Sequence, residues 1–250
     1  MRVLYWLRSL FATVCFVVLT GFFSTFALVC LSVYKSIALG DWVLVTWGRL
    51  ALRIYNVKLL VEGTENIPAN GCLFVFNHSS DFDILAIVAG IEKSARFGAK
   101  IELFSIPFFG AAMRIMGVLP ITRSERGKVL KLYDESIARV LKGESFFLAA
   151  EGTRQPTAGV GEKFKSGPFI FAINGQFPLV PVVLYGVRDC LAKGDFIACT
   201  QHWQYTIRLR ILPPISTLGL TEDDRGRLKA DVREMMVKAY QELEQSVIIA

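Results

Sequence analysis

The chain holds two histidines, His78 and His202. His78 stands in Asn77-His78-Ser79-Ser80-Asp81-Phe82-Asp83, directly after an apolar run ending at Phe76. An imidazole acts as a general base near neutral pH when a carboxylate holds its second ring nitrogen. Asp83 is the carboxylate that spacing offers. On an ideal helix the two positions face different directions. The pair therefore forms only if His78 precedes the helix and the chain turns Asp83 back onto the ring. The same residues also fit a capped helix start, with Ser79 or Ser80 as N-cap and the aspartates complementing the dipole. Asp81 is assigned that second role. For His78 and Asp83 the spacing alone leaves both readings standing.

Other candidates carry less. Ser79 and Ser80 adjoin His78, but no G-x-S-x-G elbow surrounds them, which argues against a serine acyl-enzyme. His202 stands beside Trp203 with no carboxylate nearby and is assigned a structural role. Two histidines without ligand spacing give no metal site. The five cysteines, Cys15, Cys30, Cys72, Cys190 and Cys199, form no CxxC pair and are odd in number. That favours a reducing compartment over a disulfide framework.

The elements that must position His78 follow from the pattern after Tyr55, where short apolar runs alternate with helical stretches. Strands are expected at Val57–Val61, Cys72–Phe76, Ala95–Ala99, Gly117–Thr122, Ser145–Ala149, Leu179–Tyr185 and Tyr205–Leu212. Helices are expected at Asp83–Gly90, Pro107–Met116, Arg126–Lys142, Gly167–Asn174 and Thr221–Gln245, with Pro107 in a first turn and Thr221 as an N-cap. Such alternation predicts an α/β domain over residues 56–250, with a largely parallel central sheet flanked by helices. His78 then lies where a strand end opens onto a helix, the place where such sheets hold ligands.

Residues 1–55 differ in kind. From Ser9 to Tyr34 there is no charged side chain. As a helix this run spans roughly 39 Å, longer than the ~30 Å hydrocarbon core, and too long for a signal peptide. From Trp42 to Tyr55 an amphipathic helix is expected, with Arg49 and Arg53 on one face and Val43, Trp47, Leu50 and Ile54 on the other. Trp42 and Trp47 suit the lipid–water boundary. The segment is thus expected to anchor the chain to membrane lipids, whether by spanning or by dipping into one leaflet. Lys35, Arg49, Arg53 and Lys58 follow the run, which places the catalytic domain on the cytoplasmic face. Hydrophobic residues make up 53% and the net charge is +6, a balance suited to anionic lipid or phosphate-bearing substrates. No basic tract with interleaved aromatics points to nucleic acid.

Four blocks taken together settle what spacing leaves open at His78. Asn77, His78 and Asp83 match N-H-x-x-x-x-D. Gly117-Val118-Leu119-Pro120-Ile121-Thr122-Arg123 is a strand ending in arginine. Ala149-Ala150-Glu151-Gly152-Thr153-Arg154 matches F-P-E-G-T-R except for its first two residues. Val180-Pro181-Val182 is the fourth block, an apolar residue before proline, and between the third and the fourth Phe164-Lys165-Ser166-Gly167 adds an F-K-x-G stretch. In this order, from about Val57 to the last strand, the chain resembles the glycerolipid acyltransferases that include the lysophosphatidic acid acyltransferases.

The resemblance implies acyl transfer from acyl-CoA or acyl-carrier protein, used as substrate with no cofactor, to the free hydroxyl of lysophosphatidic acid (1-acyl-sn-glycerol-3-phosphate). The product is phosphatidic acid for phospholipid biosynthesis. His78 is then the base and Asp83 its partner. Arg123, Arg154 and Lys165 supply cations for the acceptor's phosphate. Glu151 orients the hydroxyl or Arg154. Gly152 and Thr153 complete the substrate site, with backbone N–H groups near Gly152 as oxyanion donors. Alternatives are another lysophospholipid or an amino-acid lipid as acceptor, or an inactive lipid-binding scaffold. Four intact residues, His78, Asp83, Glu151 and Arg154, argue against the scaffold.

Overall fold

The computed structural model describes residues 2–122 and 125–248. Helix α1 (Arg2–Tyr34) and helix α2 (Ile37–Ile54) come first. The domain follows as β1 (Val57–Glu62), β2 (Leu73–Phe76), α3 (Phe82–Gly90), β3 (Ala95–Lys100), α4 (Phe109–Ile115), β4 (Leu119–Ile121) and α5 (Arg126–Leu141). It continues with β5 (Ser145–Ala149), α6 (Ser166–Gly175), β6 (Leu179–Tyr185), α7 (Val187–Cys190), β7 (Tyr205–Ile211) and α8 (Arg225–Ile248). The strands form one sheet in the order β1-β7-β6-β2-β5-β3-β4. Every pairing is parallel except β6 with β7. The expected α/β domain with a largely parallel sheet is what the chain forms.

Strand β2 sits at the centre of that sheet and is buried on both faces, which is why it is a continuous apolar run. Phe74 and Phe76 enter the cluster beneath α2 and α3, while Leu73 and Val75 enter the one beneath α5, α6 and α8. Alternation of period two assigns them. The two layers fix the height and rotation of β2, and so the point at which His78 emerges.

Some boundaries differ from expectation. The helix expected from Pro107 begins at Phe109, because Phe108 adopts φ 60° and breaks the run. A 3-10 helix, Ile101–Ser105, precedes it and has no counterpart in the sequence reading. The strand expected over Gly117–Thr122 shrinks to Leu119–Ile121, since Gly117 turns at φ 76°. Thr221 does cap, through a reciprocal capping box with Asp224, but a 3-10 turn stands between it and α8.

Helix α1 is more than an appendage. One face packs against α2 and α4, with Phe23, Ala27 and Leu31 meeting Val43 and Ala112. Trp47 donates its indole N–H to Thr20 at 3.0 Å, so it faces α1 and not a lipid boundary. The Tyr55 hydroxyl donates to Thr13 at 3.3 Å. The opposite face, with Val3, Leu7, Phe11, Val14, Val18 and Phe22, is exposed and apolar. At Val3–Tyr34 it is the one described helix long and apolar enough to cross a membrane. Helix α2 crosses α3 at Gly48, where an added Cβ would lie 2.5 Å from Val88.

Candidate active site

Three strand ends converge on His78. Parallel pairing aligns Phe76 of β2 with Ala149 of β5 and Val182 of β6. Asn77, fully buried, fixes the first residue beyond β2. Its amide donates to the Leu184 carbonyl at 2.9 Å and accepts from the Leu184 N–H at 2.8 Å. A buried amide with donor and acceptor both satisfied locks β2 to β6.

Beyond Asn77 the chain turns as the pairing of His78 with Asp83 requires. His78 Nδ1 lies 2.7 Å from Asp83 Oδ2, and the same oxygen accepts the N–H groups of Ser79 at 2.9 Å and Ser80 at 3.0 Å. Asp83 is wholly buried in the first turn of α3, and burial raises its pKa against the opposing pull of those hydrogen bonds. An ionised carboxylate only accepts, so Nδ1 facing Asp83 Oδ2 carries the N–H, which leaves Nε2 with the free lone pair. The His78 side chain retains 18% exposure. This arrangement can accept a proton from a hydroxyl and stabilise the resulting imidazolium.

Glu151 occupies a different place from the one expected. It is 1% exposed. One carboxylate oxygen accepts the backbone N–H of His78 at 2.9 Å, the other that of Gly161 at 3.0 Å. Burial pushes its pKa up, countered by the N–H groups of Gly161 and His78. Both oxygens are committed to the protein, so Glu151 braces the catalytic turn and contacts neither Arg154 nor the surface. Gly152 turns at φ 66°, and its N–H is taken by the Ala149 carbonyl at 3.1 Å, which removes it as an oxyanion donor. The Lys165 stem crosses it so closely that an added Cβ would lie 2.9 Å from Lys165 Cγ.

The cations lie at the mouth. Arg154 pairs with Asp81 at 2.5 Å, and Lys193 donates to the Arg154 carbonyl at 2.9 Å. Asp81 stands at the N-cap of α3 and serves as a counter-ion, with no cap hydrogen bond from its carboxylate; the Ser80 hydroxyl accepts the Phe82 N–H at 3.2 Å instead. Lys165 is exposed beside Gly152, and Thr153 is half-buried in the same turn. Arg123 lies outside the described residues. His202 is exposed, edge-on to Tyr205, and apart from this cluster. No group of three or more His, Cys, Asp or Glu side chains suited to a metal occurs among the described residues.

The substitution of Ala149-Ala150 for Phe-Pro has a structural account. Ala150 is buried, and its N–H donates to the Phe76 carbonyl at 2.9 Å. Proline has no such N–H. The chain here gains a bond between the strand bearing His78 and the strand bearing Glu151. Asn77 and Asp81 were assigned no site role from the sequence; only the three-dimensional pairing reveals what each holds.

Comparison with known proteins agrees with this geometry. Residues 58–185 match the Acyltransferase family. The 1-acyl-sn-glycerol-3-phosphate acyltransferase of Saccharomyces cerevisiae is 28% identical over 97% of the chain and 79% of its own length. A chloroplastic counterpart of Brassica napus is 32% identical over 60% of the chain, which spans only 43% of that protein. The crystal structure of the 1-acyl-sn-glycerophosphate (LPA) acyltransferase PlsC from Thermotoga maritima superposes with a TM-score of 0.77, at 25% identity and 98% coverage of both chains. The matched span includes the histidine turn, the Glu151–Arg154 segment and the central strands, and on that ground this chain belongs to the acyltransferase family.

Proposed function

We propose that the chain acylates the free hydroxyl of 1-acyl-sn-glycerol-3-phosphate to give phosphatidic acid. The observation that carries this is the 2.7 Å contact between His78 and a buried carboxylate, with Arg154 paired to Asp81 of the same turn and Lys165 lying over Gly152. The hydroxyl proton passes to His78 Nε2 as the oxygen bonds to the thioester carbonyl. The imidazolium rests against Asp83. The C–S bond then breaks, and the imidazolium gives its proton to the departing sulfur, which leaves as a thiol while His78 returns to the neutral ring. Arg154, Lys165 and Arg123 take the acceptor's phosphate, with Arg154 released from Asp81. The donor is acyl-CoA or acyl-carrier protein.

Helix α1 touches the domain near both ends, at Ser9 and at Leu31, while its outward face is apolar apart from Thr25 and Ser32, whose hydroxyls bond back to the helix's own carbonyls. A helix held along the domain in this way lies in one leaflet beside it. Free cysteines and the cations after α1 favour the cytoplasmic face.

The test is an assay of the purified full-length protein in detergent, offering 1-acyl-sn-glycerol-3-phosphate and neutral or zwitterionic lysolipids with each donor type. Preferred turnover of the phosphate monoester is expected. Equal use of a lysolipid lacking that monoester would overturn the assignment of the acceptor.

A further inference from the structure

The segment between α7 and β7, residues 191–204, belongs to no sequence motif, yet it joins the catalytic turn to the start of α1. On one side the Ser80 hydroxyl donates to the Leu191 carbonyl at 2.8 Å, and Lys193 to the Arg154 carbonyl at 2.9 Å. On the other side the Cys199 carbonyl accepts from Arg8 at 2.8 Å and from Ser9 at 2.6 Å. Arg8 also donates to the Trp203 carbonyl and lies over the Trp203 ring, 5.1 Å from its centre. Tyr5 packs 6.2 Å from the same ring.

Between these ties the segment presents aromatic surface to the outside. Phe196 is 94% exposed, and Trp203 is 53% exposed. Trp6, Leu7 and Val3, at the adjacent end of α1, are exposed as well. A lone exposed apolar residue needs no explanation, whereas Trp203, seated against Tyr5 and Arg8, extends the exposed apolar face of α1, and Phe196 stands in the same segment. Tryptophan, tyrosine and arginine grouped at one helix end are the residue types that suit the boundary between acyl chains and water.

We infer that the 191–204 segment is a second membrane-contacting element, in which Phe196 enters the acyl layer and Trp203 sits at the head-group boundary, level with the first turns of α1. The occupant is a lipid surface. This rests on the reading that α1 lies in a leaflet. Its consequence is positional. The segment that meets lipid is bonded to Ser80 and Arg154, so the mouth of the site is held at head-group depth, where a single-chain phospholipid carries its phosphate and hydroxyl.

Two measurements test it. Phe196→Cys in full-length protein with Cys15→Ala and Cys30→Ala leaves only buried thiols elsewhere. Labelled there with an environment-sensitive dye and bound to vesicles of mixed anionic and zwitterionic lipid, it is expected to emit at shorter wavelength and to be quenched by brominated acyl chains. Unchanged emission in vesicle-bound protein would overturn the inference. This readout does not depend on turnover, so it can fail or succeed separately from the acyltransferase reading. The second compares Phe196→Ser and Phe196→Leu on vesicle-borne acceptor and on a short-chain, water-soluble acceptor. Removing one inserted phenyl group should lower the first activity about three- to tenfold for Ser, little for Leu, and leave the second unchanged. An unchanged ratio, or equal loss on both acceptors, would contradict a docking role.

Discussion

Glu151 and Arg154 stand close together in one motif and serve different ends. Glu151 is buried and braces the backbone at His78 and Gly161; Arg154 is at the mouth, holding Asp81. Their variants should therefore fail differently. Arg154→Ala is expected to raise the acceptor's KM roughly ten- to a hundred-fold, the effect of losing a charge-assisted contact, with the donor's KM little changed. A rise in the donor's KM alone would move Arg154 to the donor site. Glu151→Ala strands two buried N–H groups, each worth about 1–3 kcal/mol. It should lower thermal stability and kcat together while the acceptor's KM stays near wild type. A variant with wild-type melting and a raised acceptor KM would return Glu151 to the substrate. At this scale the spacing of His78 and Asp83 fits a capped helix start as well as a pair, and the 2.7 Å contact between them is what the fold adds. The burial of Glu151 and the ion pair of Asp81 were not legible, since both depend on partners 73 residues away.

At the scale of elements, the strands and helices around the site were legible wherever hydrophobic period and turn residues agreed, as at β2, β5 and β6. The 3-10 helix Ile101–Ser105 was not, because Ile101-Glu102-Leu103-Phe104-Ser105 has neither a strand's alternation nor a full helical turn's repeat. Strand order was also hidden. Nothing local places β7 between β1 and β6 or makes one pairing antiparallel. The crossing of α2 over α3 is a third case. A pattern of apolar and charged positions predicted the helix, but close approach at Gly48 depends on Val88 and the Leu85 carbonyl. Gly48→Val should force these helices apart and cost about 1–3 kcal/mol, read as a lowered melting temperature. Wild-type melting would show that the crossing tolerates a larger contact.

For the whole molecule, the sequence separated an anchor at residues 1–55 from a catalytic segment at 56–250, and the structure packs the two against each other. Phe23 and Leu31 of α1 are each more than nine-tenths buried against α2 and α4. Burial of two such side chains contributes about 3 kcal/mol or more. A chain beginning at Ser36 should melt roughly 6 °C or more below full length in detergent. Unaltered melting would show that α1 is held to the rest only by lipid.

The central claim is that His78, oriented by Asp83, takes the proton from the acceptor hydroxyl. Its most direct test is the initial rate of phosphatidic acid formation from 1-acyl-sn-glycerol-3-phosphate by full-length wild type and His78→Ala, both shown folded by melting. Loss of a general base should lower the rate by about 10²- to 10⁴-fold while the protein melts as before. A folded His78→Ala protein that turns over near the wild-type rate would contradict the account.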